Sequence, residues 1–229
     1  MGSVEYHNEH LFIHSHIITY GNCADTAITE MIRDEIETMW NEPGALINMY
    51  GESLKVVFRI TAELSSAITQ TTINENQDPR NNYFRIEEFA HGQISFVDGV
   101  GSNSGYFKLE NLYKGSTTAA HEYGHTLGLA HPHDLDYRGK GAPGIMYPRG
   151  TWVNAEFQYN IYATAGDSDN GGTMHPKYRK VLKQDIEHLK LHKLELKNGP
   201  AILGDFTNIW HADHRNLSPA DFIEPGIRG

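Results

Sequence analysis

The chain has 229 residues, 29 of them acidic and 19 lysine or arginine, for a formal net charge of −10 at pH 7. With no Lys/Arg cluster to offset it, that balance disfavours nucleic-acid and anionic-membrane partners, and no stretch is apolar enough for a membrane span. Its one cysteine, Cys23, excludes an intrachain disulfide, and a chain this long buries enough surface to fold without one.

Met1-Gly2-Ser3 leads straight into a polar segment without a signal-peptide pattern, so the compartment is not written there. Leu11 to Tyr20 reads as a first strand with Phe12, His14, His16 and Ile18 on one face. Ala24 to Trp40 reads as a helix: Ile28, Ile32, Ile36 and Met39 form its apolar stripe, and Asn41 to Gly44 stop it. Leu54 to Ile60 reads as a second strand, and the polar stretch to Asn82 as loop. Tyr83 to Phe89 and Gln93 to Val97 are expected strands, followed by a glycine-rich loop, Asp98 to Gly105, and a short strand near Tyr106 to Leu109.

A helix is expected from about Ser116, and it carries H-E-Y-G-H-T-L-G-L-A-H, from His121 to His131. At 100° per residue, His121 and His125 lie one turn apart and point the same way. Glu122 falls beside them rather than with them, where a base for a metal-held water belongs. Gly128 lets the backbone leave the helix through a left-handed conformation that a Cβ resists, and the turn returns His131 as third ligand. H-E-x-x-H alone arises by chance in a chain with 14 histidines; adding Gly128 and His131 fixes five positions in eleven, which chance rarely supplies. Ala119, Ala120, Tyr123 and Leu127 cluster on the opposite helix face, as a core-facing side requires.

Fifteen residues past His131 lies Met146, within Pro143-Gly144-Ile145-Met146-Tyr147-Pro148, a methionine in a proline-bracketed turn. Arg149 to His175 follows, rich in aromatics: Trp152, Phe157, Tyr159 and Tyr162. Pro176 to about Lys193 is an expected helix with Leu182, Ile186 and Leu189 on one stripe. The tail from Asn198 has turn residues and little periodicity, and Phe206 and Trp210 suit packing against the domain.

Together these motifs resemble the metzincin zinc metallopeptidases. His121 to Pro132 is similar to the serralysin zinc motif, and Ile145-Met146-Tyr147-Pro148 is similar to the matrixin Met-turn. The motif-level likeness covers about thirty residues, with a looser match of organisation over most of the first 195. It implies an α+β, zincin-like catalytic domain over residues 1–195: a twisted mixed sheet of about five strands, an active-site helix, a Met-turn and a C-terminal helix. Residues 196–229 would be an extension packed on it. It also implies one zinc ion on His121, His125 and His131, Glu122 as general base, and Met146 as a hydrophobic floor beneath the imidazoles. The edge strand beside the cleft would be Gln93–Val97 or Tyr106–Leu109, and the segment after the Met-turn would either wall a pocket that its aromatics make apolar or form a packed surface loop. Asp185 sits where the matrixin C-terminal helix carries an aspartate bonded to the Met-turn backbone. Serralysins place a tyrosine two residues after the methionine, and here that position is Pro148.

Asp134, soon after the third histidine, is placed to orient a ligand imidazole. Asp98-Gly99-Val100-Gly101 resembles the matrixin calcium loop, and Asp167-Ser168-Asp169-Asn170-Gly171 resembles the start of an oxygen-rich calcium loop. Calcium at either competes with a solvated turn. His14/His16 and His211/His214 are metal-capable pairs that suit exposed polar positions better. The expectation is a zinc metalloendopeptidase acting on a peptide or protein substrate, taken as a monomer and as secreted or exported, with the cytosol left open. Two alternatives stand beside it. One is a toxin or effector protease specific for a single protein. The other is a binding module whose zinc only holds the fold, although a structural site has no need of Glu122 and tends to have four protein ligands.

Overall fold

A computed structural model describes residues 1–218. In chain order the elements are β1 (Gly2–His7), β2 (His10–Tyr20), α1 (Thr26–Asn41), β3 (Leu46–Met49), β4 (Glu52–Leu64), α2 (Gln70–Asn74), β5 (Asn81–Glu87), β6 (Phe96–Val97), β7 (Ser104–Lys108), α3 (Thr118–Thr126), α4 (Lys183–His188) and β8 (Ala201–Leu203). The architecture is mixed α+β, with one sheet in the order β3-β4-β2-β5-β7-β6. The strand β2 pairs in parallel with β4 on one side and, through His16–Tyr20, with β5 on the other. Next to β5 on that same side, β1 pairs antiparallel with the His10–His14 half of β2, and β8 pairs antiparallel with β1. At the far end β7 is parallel to β5, and the short β6 runs antiparallel to it. Gly105 permits that last pairing, because a Cβ there would meet the Phe96 carbonyl.

The sheet has eight strands among the described residues, not about five. The three additions are β1, β3 and β8, which are short or polar and lack a clear apolar alternation. Two of them form hairpins, through Asn8-Glu9 and Tyr50-Gly51, with positive φ at all four residues. Such turns match the right-handed twist of their strands. Part of the stretch expected as loop before Asn82 is strand and helix: β4 continues to Leu64, and α2 is a short helix capped by Thr69.

Helix α1 begins where Asp25 accepts the Ile28 amide at 2.7 Å, and it packs Ile32, Ile36 and Trp40 into the main core against Phe58 and Ile60 of β4. From the other side α3 closes this core. Trp40 Nε1 donates to the Ala120 carbonyl at 3.1 Å, and the Trp40 and Phe58 rings meet Tyr123 edge-on. The expected apolar face of α3 is therefore buried, and the helix is clamped to α1.

The C-terminal helix is a correction. Residues 176–193 are broken into a 3₁₀ turn (Pro176–Tyr178), the six-residue α4 and a second 3₁₀ turn (Leu191–Lys193). The break at 179–181 has two causes. Lys180 donates its amide to the Pro143 carbonyl at 2.9 Å, and Arg179 turns its side chain inward. Lys190, at φ 53°, ends the helical run before Lys193.

Beyond β8 the chain runs along the β5–β7 end of the sheet. Asp205 donates to the Gly101 carbonyl, the amides of Thr207 and Asn208 both bond Asn103 Oδ1, and the His211 amide reaches the Tyr20 hydroxyl. Trp210 packs against the small cluster of Ile18, Tyr20, Ile73 and Tyr83.

Candidate metal centre

Helix α3 positions the site, and its N-terminus is capped from elsewhere in the chain. Thr117 adopts φ 61°, and its own side chain caps no α3 amide. Glu35 of α1 accepts the Ala120 amide at 3.2 Å instead, so a carboxylate from a neighbouring helix satisfies the first turn. At the other end Gly128 has φ +96°, the left-handed exit expected from the motif, and Leu129 donates back to the Gly124 carbonyl. Gly101 adds a bond to the His125 carbonyl at 2.7 Å, which ties the glycine-rich loop under the end of the helix.

The three imidazoles meet. His121 Nε2 and His125 Nε2 each lie 3.1 Å from His131 Nε2, and the three ligand atoms fall within 4.8 Å of one another. Among the described residues this is the one group of three or more His, Cys, Asp or Glu arranged to hold an ion. The other ring nitrogens explain the convergence. His121 Nδ1 donates to the Ile145 carbonyl and His125 Nδ1 to the Leu129 carbonyl, both at 2.7 Å. A neutral imidazole carries one proton, so these bonds leave both Nε2 atoms as acceptors aimed at one point. A single His131 proton serves at most one of them. A cation serves all three, and tetrahedral zinc with Zn–N of about 2.0–2.1 Å sets its nitrogens about 3.3 Å apart. The donor set fits zinc.

Burial keeps these rings neutral. His121 is held far below the ordinary histidine value by desolvation, His125 is pushed down to about 4, and His131 is lowered as well. Desolvation also raises Glu122, to about 8, opposed by Arg179 and by the Val97 amide, both of which favour the ionised form. Glu122 is the one carboxylate lining the cleft of about 260 Å³ over the triad, whose other walls include Phe96, Thr118, Pro148, Arg149 and Arg179. β6 ends the sheet at this cleft, so of the two edge candidates the segment ending at Val97 lies there, with Tyr106 to Leu109 one strand in.

Met146 packs against Gly124 of α3 so closely that a Cβ on that glycine would collide with Sδ. Its turn closes with Tyr147 donating to the Gly144 carbonyl, while the Asp185 carboxylate takes the Leu182 amide at 2.7 Å and faces the Ile145 amide. Tyr147 points away from the cleft and packs on Tyr137 at 4.6 Å between centroids.

Four expectations need correction. His211 and His214 do not occupy exposed polar positions: His214 is buried against Tyr106, and His211 pairs with Asp98. Asp134 lies away from the imidazoles: it is exposed, accepts the Asp136 amide and pairs with Lys140 at 3.0 Å, and backbone carbonyls hold the ligand rings in its place. Neither calcium loop gathers a ligand set. Asp98 is paired with His211 at 3.0 Å, Asp167 folds back on Asn170, and Asp169 is exposed. The aromatic segment after the Met146 turn does not make the cleft apolar. It folds on itself, with Tyr159 bonded to the Thr173 carbonyl and His175 to that of Phe157, and none of Trp152, Phe157, Tyr159 or Tyr162 lines the cleft. Arg149 lines it instead.

Two residues of this site escaped the sequence reading, Arg179 and Glu35. Arg179 carried no motif. Glu35 looked like one more polar residue of an amphipathic helix, and only the crossing of α1 over α3 gives it a task.

No protein-family model and no curated protein matches the sequence. Among solved structures the fold is similar to archaemetzincin from Methanopyrus kandleri, at 13% identity and a TM-score of 0.40 over 78% of this chain and 95% of that one. It is also similar to myroilysin, at 12% identity and a TM-score of 0.35 over 85% of this chain and all of that one. Both likenesses are coarse, and the functional reading rests on the chain's own residues.

Proposed function

We propose that this chain is a zinc-dependent endopeptidase of the metzincin type. The observation that carries the reading is the meeting of three Nε2 atoms, two of them set as acceptors by carbonyls behind, beside a buried carboxylate in an open cleft. His121, His125 and His131 hold the ion. A zinc ion there supplies Lewis acidity and acidifies a water to a pKa of ~7. Glu122 takes the proton of the attacking water and delivers it to the leaving amine nitrogen, so one carboxylate serves as base and then as acid. Met146 holds the floor under α3, and β6 offers a strand direction along which an extended peptide can lie.

A structural-zinc module accounts less well for the same residues. It has no use for a buried carboxylate beside a three-ligand site that opens to a cleft.

The test is cleavage of a quenched fluorescent peptide library by the zinc-loaded chain beside Glu122→Gln. The parent is expected to cleave, and the variant to keep its zinc and lose turnover. Equal cleavage by both would overturn the assignment of Glu122. Zinc bound with no cleavage by the parent would overturn the general peptidase.

A further inference from the structure

Two arginines line the cleft along with the triad, and among the described residues neither has a carboxylate within ion-pair distance. Arg149 follows the Met146 turn and is exposed; its guanidinium donates to Asn111 Oδ1 at 2.9 Å, a neutral acceptor contributed by the other wall. Arg179 is 5% exposed, and its donors go to Thr117 Oγ1 at 2.9 Å, the Tyr147 carbonyl at 3.2 Å and the Thr117 carbonyl at 3.5 Å. Among the described residues neither guanidinium forms an ion pair, in a chain where acidic residues outnumber basic ones 29 to 19. The single carboxylate on the cleft wall is Glu122, and it is committed to the chemistry beside the triad.

A buried cation costs stability, and Arg179 sits near Glu122 and Glu35, whose charges favour its ionised form, yet it closes an ion pair with neither. The hydrogen bonds of Arg179 go to neutral acceptors, which fix the direction of its guanidinium. Arg149 sits at the more open rim, held by Asn111 in the same manner. The net charge of −10 opposes long-range attraction of an acidic partner, so any preference must act at contact distance inside the cleft.

We propose that this cleft selects acidic peptides: a glutamate or aspartate beside the scissile bond lays its carboxylate between Arg149 and Arg179. This rests on the peptidase reading and adds a substrate class to it. Arginine suits the task, because its planar fork grips a carboxylate with two parallel bonds.

The experiment uses one fluorogenic peptide scaffold with Glu, Gln or Lys at each position flanking the scissile bond, and the zinc-loaded full chain. The Glu peptide is expected to exceed its Gln counterpart in kcat/KM by about tenfold. Arg149→Glu, at an exposed position, should invert the order so that Lys exceeds Gln, and Arg179→Met should remove the Glu advantage. Should Arg179→Met fail to fold, Arg149→Glu alone decides. Equal rates for Glu and Gln, or a Glu preference surviving in Arg149→Glu, would overturn the proposal. Fluorescence anisotropy with Glu122→Gln separates the two readings. Tighter binding of the Glu peptide without cleavage by the parent sinks the peptidase and keeps the acidic selectivity. Cleavage without any Glu preference does the reverse, and neither binding nor cleavage sinks both.

Discussion

Two histidine clusters are buried in this molecule, and they have opposite designs. In the first, His121, His125 and His131 turn their Nε2 atoms toward one point, with Nδ1 of two of them anchored on carbonyls. In the second, His91, His211 and His214 lie ring against ring with Phe96 and Tyr106, His214 stacking on Tyr106 at 3.8 Å between centroids. There His211 pairs with Asp98, and His91 faces the Leu217 carbonyl. The first cluster spends its nitrogens on a shared target; the second spends them on local bonds that hold residues 211–217 against β6 and β7. Proximity of imidazoles therefore says little about metal binding, and the direction in which the nitrogens point says nearly everything.

The largest way to sharpen that contrast is Glu122→Gln, expected to lower turnover by about 10²–10⁴-fold while leaving zinc content unchanged. His214→Ala should act the other way. Loss of a buried ring stacked on Tyr106 is expected to cost about 2–4 kcal/mol, read by urea denaturation of the zinc-loaded protein, with zinc stoichiometry intact. A stability change confined to the metal-free protein would break the distinction between the clusters.

Gly124→Ala tests the packing that holds the first cluster. In an open helix this change stabilises by up to about 1 kcal/mol. Here the new Cβ meets Met146 and the Trp40 ring, so a loss of about 1–3 kcal/mol is expected, seen as a lower urea midpoint. A gain would mean that Met146 does not bear on α3.

A further effect concerns pH. Glu122 is raised to about 8 by burial, so the folded metal-free protein favours its protonated form more than the unfolded chain does. That penalty is absent below the unfolded carboxylate value of ~4.3, grows as pH rises, and is complete above about 8. Metal-free Glu122→Gln should accordingly melt several degrees above its parent at pH 9 and near it at pH 4. The histidines run oppositely: with folded values lowered, His125 and His214 withdraw stability as pH falls from ~6.5 toward about 4.

The convergence of His121, His125 and His131 was legible because its geometry is local. Helical geometry fixes His121, Glu122 and His125, and one left-handed glycine fixes the return of His131. The central strands β2, β4 and β5 and the helix α1 were legible because their apolar periodicity is plain. What escaped depends on contacts between distant segments. Glu35 reads as one more solvent-facing residue until α1 crosses α3, and Arg179 reads as the middle of an expected helix until Lys180 pairs with Pro143. Asp134 shows the converse failure: closeness in sequence to the third ligand suggested a role that the exposed turn and Lys140 take away. Asn8-Glu9 and Tyr50-Gly51 are not the pairs that mark two-residue hairpins, and the short strands β1 and β3 offer no clear alternation to reveal them.

The most direct test of the account is zinc per chain, measured by elemental analysis after dialysis, for the parent, His125→Ala and His214→Ala side by side. One zinc per chain in the parent and in His214→Ala, with loss in His125→Ala, is the predicted result. Zinc retained in His125→Ala, or lost from folded His214→Ala, would contradict it.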